Sequence, residues 1–94
     1  MSYSFTIRAA TKAAAKLAVA AKLAEVLAAQ PTHAVDMSQA QAAADSFIDV
    51  VVTDESKDVA VAVSGWVSFR QDGEQVVYVG TGFGVSANLV EKQV

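Results

Sequence analysis

Residues 58–90 read DVAVAVSGWVSFRQDGEQVVYVGTGFGVSANLV. Two arms, 58–70 and 75–90, are rich in Val and aromatics and alternate with a period of two, the signature of paired strands. Gln71-Asp72-Gly73-Glu74 lies between them. An Asp-Gly pair in this position predicts a three-residue loop, with a type I turn at Gln71 and Asp72 and a left-handed Gly73 closing a G1 bulge. That loop pairs Arg70 with Glu74. It sets Phe69 against Gln75, Val67 against Val77, Gly65 against Val79, Val63 against Thr81, and Val61 against Phe83.

In this register Val59, Val61, Val63, Val67, Phe69, Val77, Val79, Phe83 and Val85 share one face, which is predicted to be the core; a one-residue slip would scatter them. The other face carries Ala60, Ala62, Ser64, Trp66, Ser68, Val76, Tyr78, Gly80, Gly82, Gly84 and Ser86, with Trp66 opposite Tyr78. A solvated strand face normally carries Thr, Lys, Glu or Arg. Glycine inside a strand weakens it and often marks close approach of another backbone or a ligand. Two readings follow. The glycines relieve crowding around Trp66 or permit strong twist, or they make a contact surface for a second subunit or a flat ligand. The residues of that surface are Trp66, Tyr78, Val76, Ser64, Ser68, Gly80, Gly82 and Gly84, with Arg70 as the charge near the turn.

The rest of the chain supplies a lid for one face only. Residues 2–8, SYSFTIR, alternate Tyr3, Phe5 and Ile7 against Ser4, Thr6 and Arg8, and predict a half-buried strand. Thr11 is a helix N-cap before residues 12–29, where Ala, Leu and Lys favour helix. Val19, Ala20, Leu23, Ala24, Val26 and Leu27 form its apolar stripe. A basic amphipathic membrane helix is the competing reading, with Lys12, Lys16 and Lys22 at lipid; the absence of an aromatic anchor argues against it. Pro31 ends the helix, and Asp36 with Gln39 resembles a capping box. A second helix is predicted over about 37–51, with Ala40, Ala44, Phe47, Ile48 and Val51 on one face and Asp45 and Asp49 opposite. Residues 53–57, TDESK, form a polar loop. The order β-α-α-β-β predicts a single-domain, two-layer α+β sandwich. Its three-stranded sheet is mainly antiparallel and is covered on one face by an antiparallel helix pair. The first strand lies most simply beside the second; pairing with the third would make the sheet mixed.

At 94 residues the chain is one domain, and a domain this small buries only a little over ~60% of its unfolded surface. A net charge of −3 argues against a general nucleic-acid binder. The absence of cysteine excludes disulfides and thiolate zinc sites and is compatible with a reducing cytosol. No targeting segment stands out, and residues 13–29 are too short and too charged to span a membrane.

Little in the sequence carries chemistry. His33 and Asp36 could orient a general base, but no nucleophile accompanies them, and a role in capping and loop hydrogen bonding accounts for both. One His and scattered carboxylates make no recognisable metal site. Gly80-Thr81-Gly82-Phe83-Gly84 fails as a phosphate loop, since no helix follows it and the final Gly comes one position early. Asp54, Glu55 and Asp58 read as a solvated acidic loop without calcium-site spacing. Trp66 and Tyr78 could stack on a base, but their neighbours give a nucleic-acid strand little charge to hold. No cofactor, catalytic residue or metal ligand is therefore assigned.

Two further stretches, SYSFTIRAATKAAAK at 2–16 and QPTHAVD at 30–36, resemble small proteins encoded by bacteriophages and prophages. The resemblance extends over most of the chain and contains no diagnostic catalytic motif. It implies a bacterial cytosolic setting and action by binding a host protein or sequestering a signal. The sequence thus predicts a non-catalytic homo-oligomer that self-associates through its exposed sheet face, with a nucleotide-like small ligand on the same face as the alternative.

Overall fold

The structure, a computed structural model, describes residues 2–30, 36–54 and 56–92. Five elements follow in the order expected: β1 (Ser2–Ala9), α1 (Lys12–Ala28), α2 (Ser38–Val51), β2 (Asp58–Asp72) and β3 (Gln75–Val90). They form one antiparallel three-stranded sheet in the order β1-β2-β3. β1 lies beside β2, the simpler of the two arrangements open to the sequence. His33 falls outside the described residues, so the His33–Asp36 pair is not placed.

The helices begin and end for local reasons. Thr11 is extended and its Oγ1 accepts a hydrogen bond from the Ala14 N–H at 3.1 Å, which satisfies one of the donors left open at a helix start. Asp36 does not complete a capping box. Its Oδ1 accepts from the Ser38 N–H at 2.9 Å in a local turn that leads into α2. That contact, with the Ser38 hydroxyl, holds the Asp36 carboxyl below its usual range.

The core lies between the helix pair and one face of the sheet. Ala15, Val19 and Leu23 of α1, Ala40, Ala44 and Ile48 of α2, and Ile7, Val59, Val61, Val63 and Val67 of the sheet are buried. The two helices are antiparallel, since Lys12 and Lys16 at the start of α1 reach Asp49 near the end of α2, at 3.7 and 2.7 Å. The apolar stripe of α1 is narrower than its composition suggests, with Ala20, Ala24 and Leu27 exposed. Phe47 of α2, expected in the core, is also exposed. α1 lies over β1 and β2, and α2 over β3 and β2.

The register of the hairpin corrects the sequence reading. The turn has two residues, Gly73 and Glu74, because Asp72 pairs with Gln75 and Arg70 with Val77. Gly73 is left-handed, with φ 64°, as expected, but as the first central residue of the short loop rather than as a G1 bulge. The position suits glycine because an L side chain there is strained. A bulge sits five residues further in, where Ser68 pairs with Gly80 and Phe69 with Tyr78, leaving Val79 as the extra residue.

The bulge has a direct physical cause. Continued unbroken, the turn register would direct Gly80, Gly82, Gly84 and Ser86 at the helices and Phe83 and Val85 at solvent. One extra residue exchanges the faces. Val85, Ala87 and Leu89 then pair with Val63, Val61 and Val59 on the helix side, while Tyr78 still meets Phe69 near the tip. The ring centroids of Phe69 and Tyr78 are 6.5 Å apart at 65°, an edge-to-face contact.

Candidate functional site

With the helices on one side, the other sheet face is uncovered by the described residues. Partnered residues share a face, so its rows can be read from the pairing. Ser2, Trp66 and Gly82 lie side by side, then Ser4, Ser64 and Gly84, then Thr6, Ala62 and Ser86, then Arg8, Ala60 and Asn88. Towards the tip follow Ser68 with Gly80 and Arg70 with Val77. The rows between Trp66 and Ala62 hold only small or hydroxyl side chains. A shallow, open trough of about 550 Å³ runs across them, bordered by Ser4, Thr6, Ala62, Ser64, Gly84 and Ser86.

Trp66 borders this surface. Its residue is 52% exposed, and its indole lies flat over Gly82. A Cβ on Gly82 would stand 2.6 Å from the indole Cζ2, so glycine is required by the ring above it. Thr81 fixes the crossing by donating its hydroxyl to the Trp66 carbonyl at 2.7 Å. Gly80 and Gly84 differ. A Cβ on either would meet nothing within 4 Å, so no packing within the described residues explains them.

The bulge divides the residues that the sequence brings together. Trp66, Ser64, Ser68, Gly80, Gly82, Gly84 and Arg70 lie on the open face. Tyr78 and Val76 do not. Tyr78 pairs with Phe69 and Val76 with Gln71, which puts both on the helix side of the sheet. The expected Trp66–Tyr78 pair is therefore absent, and the partner of Trp66 is Gly82. Val77 and Val79, expected in the core, leave it: the two-residue turn sets Val77 against Arg70, and Val79 is the bulged residue and is exposed. Sequence reasoning missed a counterpart on the helix side. The Tyr3 ring lies across Gly65, where a Cβ would run into the Gly82 carbonyl and stand 2.7 Å from the Tyr3 Oη. Burial raises the pKa of the Tyr3 hydroxyl above its ordinary value.

Charge collects at the base of the open face. Arg8 Nε donates to Asp58 Oδ2 at 2.9 Å, and Lys92 Nζ reaches Asp58 Oδ1 at 3.1 Å. Arg8 Nη2 also donates to the Glu91 carbonyl. The Arg8 guanidinium, and after it the Lys92 ammonium, hold the Asp58 carboxyl below the usual carboxylate range. Asp54 accepts from the Ser56 N–H at 2.9 Å. Asp54 and Asp58 are thus engaged with their own surroundings, and Glu55 lies outside the described residues. Among the described residues no group of three or more His, Asp or Glu side chains is placed to hold a metal ion, and no helix is long and apolar enough to cross a membrane.

Comparisons with protein-family models, with curated proteins and with solved structures find no match. They lend no support to the phage resemblance of residues 2–16 and 30–36.

Proposed function

We propose that the protein is a non-catalytic binding module that self-associates through the open face of its sheet. One observation carries this reading: Gly80 and Gly84 stand in open space, although glycine weakens a strand interior by roughly 0.5–1 kcal/mol relative to alanine. Their lack of side chains serves something outside the described residues. Beside them lies an exposed indole, the side chain most apt to anchor an interface. A second copy presenting the same flat, uncharged rows fits this surface, as in sheet-on-sheet packing. The phage-like resemblance extends the proposal to a host protein in the bacterial cytosol that docks on the same face.

Light scattering at micromolar concentration tests it. The wild type should exceed its monomer mass of 9.8 kDa, and Trp66→Asp should lower the mass by one step of assembly. A wild-type monomer, or a Trp66→Asp protein of unchanged mass, would overturn the proposal.

The trough supports a second reading, a small flat ligand held by the hydroxyls of Ser4, Thr6, Ser64 and Ser86. Trp66 fluorescence should then respond to a nucleotide panel. The trough has no cation of its own, and Arg8, the nearest, already serves Asp58 and Glu91. A phosphate group would find weak hold there, which ranks this reading second.

A further inference from the structure

The outer edge of β3 faces no strand among the described residues, since β3 pairs only with β2. Beyond the bulge, residues 80–90 form an unbroken edge of eleven residues, roughly 37 Å long. Every second backbone amide and carbonyl along it points away from β2. Native proteins blunt such an edge with Lys, Pro, a bulge or a covering element. Residues 80–90 hold no charged residue and no proline, and the bulge lies outside them. The opposite edge, β1, is half as long as β3 and ends beside Arg8.

The helix above the β3 edge tells the same story independently. The two flanks of α2 differ sharply. Asp45 and Asp49 lie on the flank towards α1, where Asp49 meets Lys12 and Lys16. At 100° per residue, Ala43, Phe47 and Val50 fall on the flank away from α1. Because α2 lies over β3, that flank overhangs the free edge. Phe47 and Val50 are 47% and 74% exposed there, and with Ser46 they border an apolar hollow.

We infer that two copies of the chain join edge to edge, pairing β3 antiparallel with β3 about a two-fold axis and packing the two Phe47/Val50 flanks against each other above the joint. A second copy fits better than a foreign strand. An extended peptide would satisfy the edge but leave Phe47 and Val50 in water. A second copy brings its own helix layer, and the two-fold matches donors to acceptors and apolar flank to apolar flank. The two joined surfaces hold no charge, so a net charge of −3 on each copy puts no like charges across the joint. The result is a six-stranded sheet with helices on one side and a continuous open face on the other. This inference rests on the proposal that the protein self-associates, but it names a different surface, so the edge and the open face can be occupied together.

The two surfaces separate by variant. Val50→Lys and the double variant Phe47→Glu/Val50→Lys change only exposed side chains of α2. Each should halve the mass measured by light scattering with the helical circular dichroism retained, while Trp66→Asp leaves the edge pairing intact. In hydrogen exchange, the alternate amides of 80–90 that do not pair with β2 should be protected in the wild type and exchange freely in the double variant. Unchanged mass in a folded Val50→Lys protein, or equally fast exchange of those amides in the wild type and the double variant, would overturn the edge pairing. The open-face proposal fails separately, when Trp66→Asp leaves the mass unchanged.

Discussion

At the scale of single residues, the four strand glycines divide into two pairs. Gly65 and Gly82 are closed positions beneath Tyr3 and Trp66, and Gly80 and Gly84 are open. Gly65→Ala should therefore destabilise the fold. Its Cβ meets a backbone carbonyl that cannot turn aside, and overpacking of this kind costs about 1–3 kcal/mol. Gly84→Ala should leave the isolated fold unharmed or stabilise it by roughly 0.5–1 kcal/mol, while weakening self-association. Urea denaturation of each variant at low concentration, set beside light scattering at high concentration, reads the two effects apart. Asp58 gives a second prediction. Its folded pKa lies below the value near 3.9 of an unfolded aspartate, so the unfolded chain takes up the proton first as pH falls. The stabilisation is complete above the unfolded value and is lost as pH drops through the folded one. Asp58→Asn should be less stable than wild type at pH 7, and the gap should close in an acid titration followed by circular dichroism.

At the scale of elements, most of the framework was legible in the chain. Tyr3, Phe5 and Ile7 on one side of β1, the Thr11 cap, the valine row of β2 and the Ala40/Ala44/Ile48 face of α2 each stand where periodicity puts them. Ile48, fully buried between α2 and the sheet, should cost about 2–5 kcal/mol as Ile48→Ala, measured by thermal denaturation. The bulge was not legible, and the reason lies in two residues. Val77 and Val79 continue the odd-numbered apolar row of Phe83 and Val85, so β3 reads as a single unbroken face. Gly80 and Gly82, where the exchange of faces occurs, have no side chains to betray it. The loop sequence compounds this, since Asp-Gly serves two-residue and three-residue turns alike. The Trp66–Tyr78 pair failed because the two-residue turn sets Tyr78 against Phe69, and the bulge then returns Gly80, Gly82 and Gly84 to the face of Trp66 assigned to them.

At the scale of the whole molecule, shape argues for company. The chain measures 54 × 22 × 17 Å with a radius of gyration of 15.1 Å, against roughly 12 Å for a compact domain of this length. The excess comes from the hairpin. A strand of 16 residues runs roughly 53 Å, about twice the 26 Å or so spanned by a 17-residue helix, so the helices shelter only part of it. A small domain drawn out in this way has much surface for its core. If assembly supplies the missing burial, the melting temperature should rise with protein concentration. Scanning calorimetry over a hundredfold range of concentration checks this, and a constant melting temperature would count against assembly.

The extra residue at Val79 also works as a point of address. It lets Tyr78 and Gly80, two apart in the chain, stand on opposite sides of the ribbon. Deleting Val79 would join Tyr78 directly to Gly80 and make the ladder continuous, with Tyr78 still opposite the phenylalanine at 69 and Gly80 still opposite Ser68. Shortening the strand there should therefore straighten the ribbon while each neighbouring side chain keeps its side.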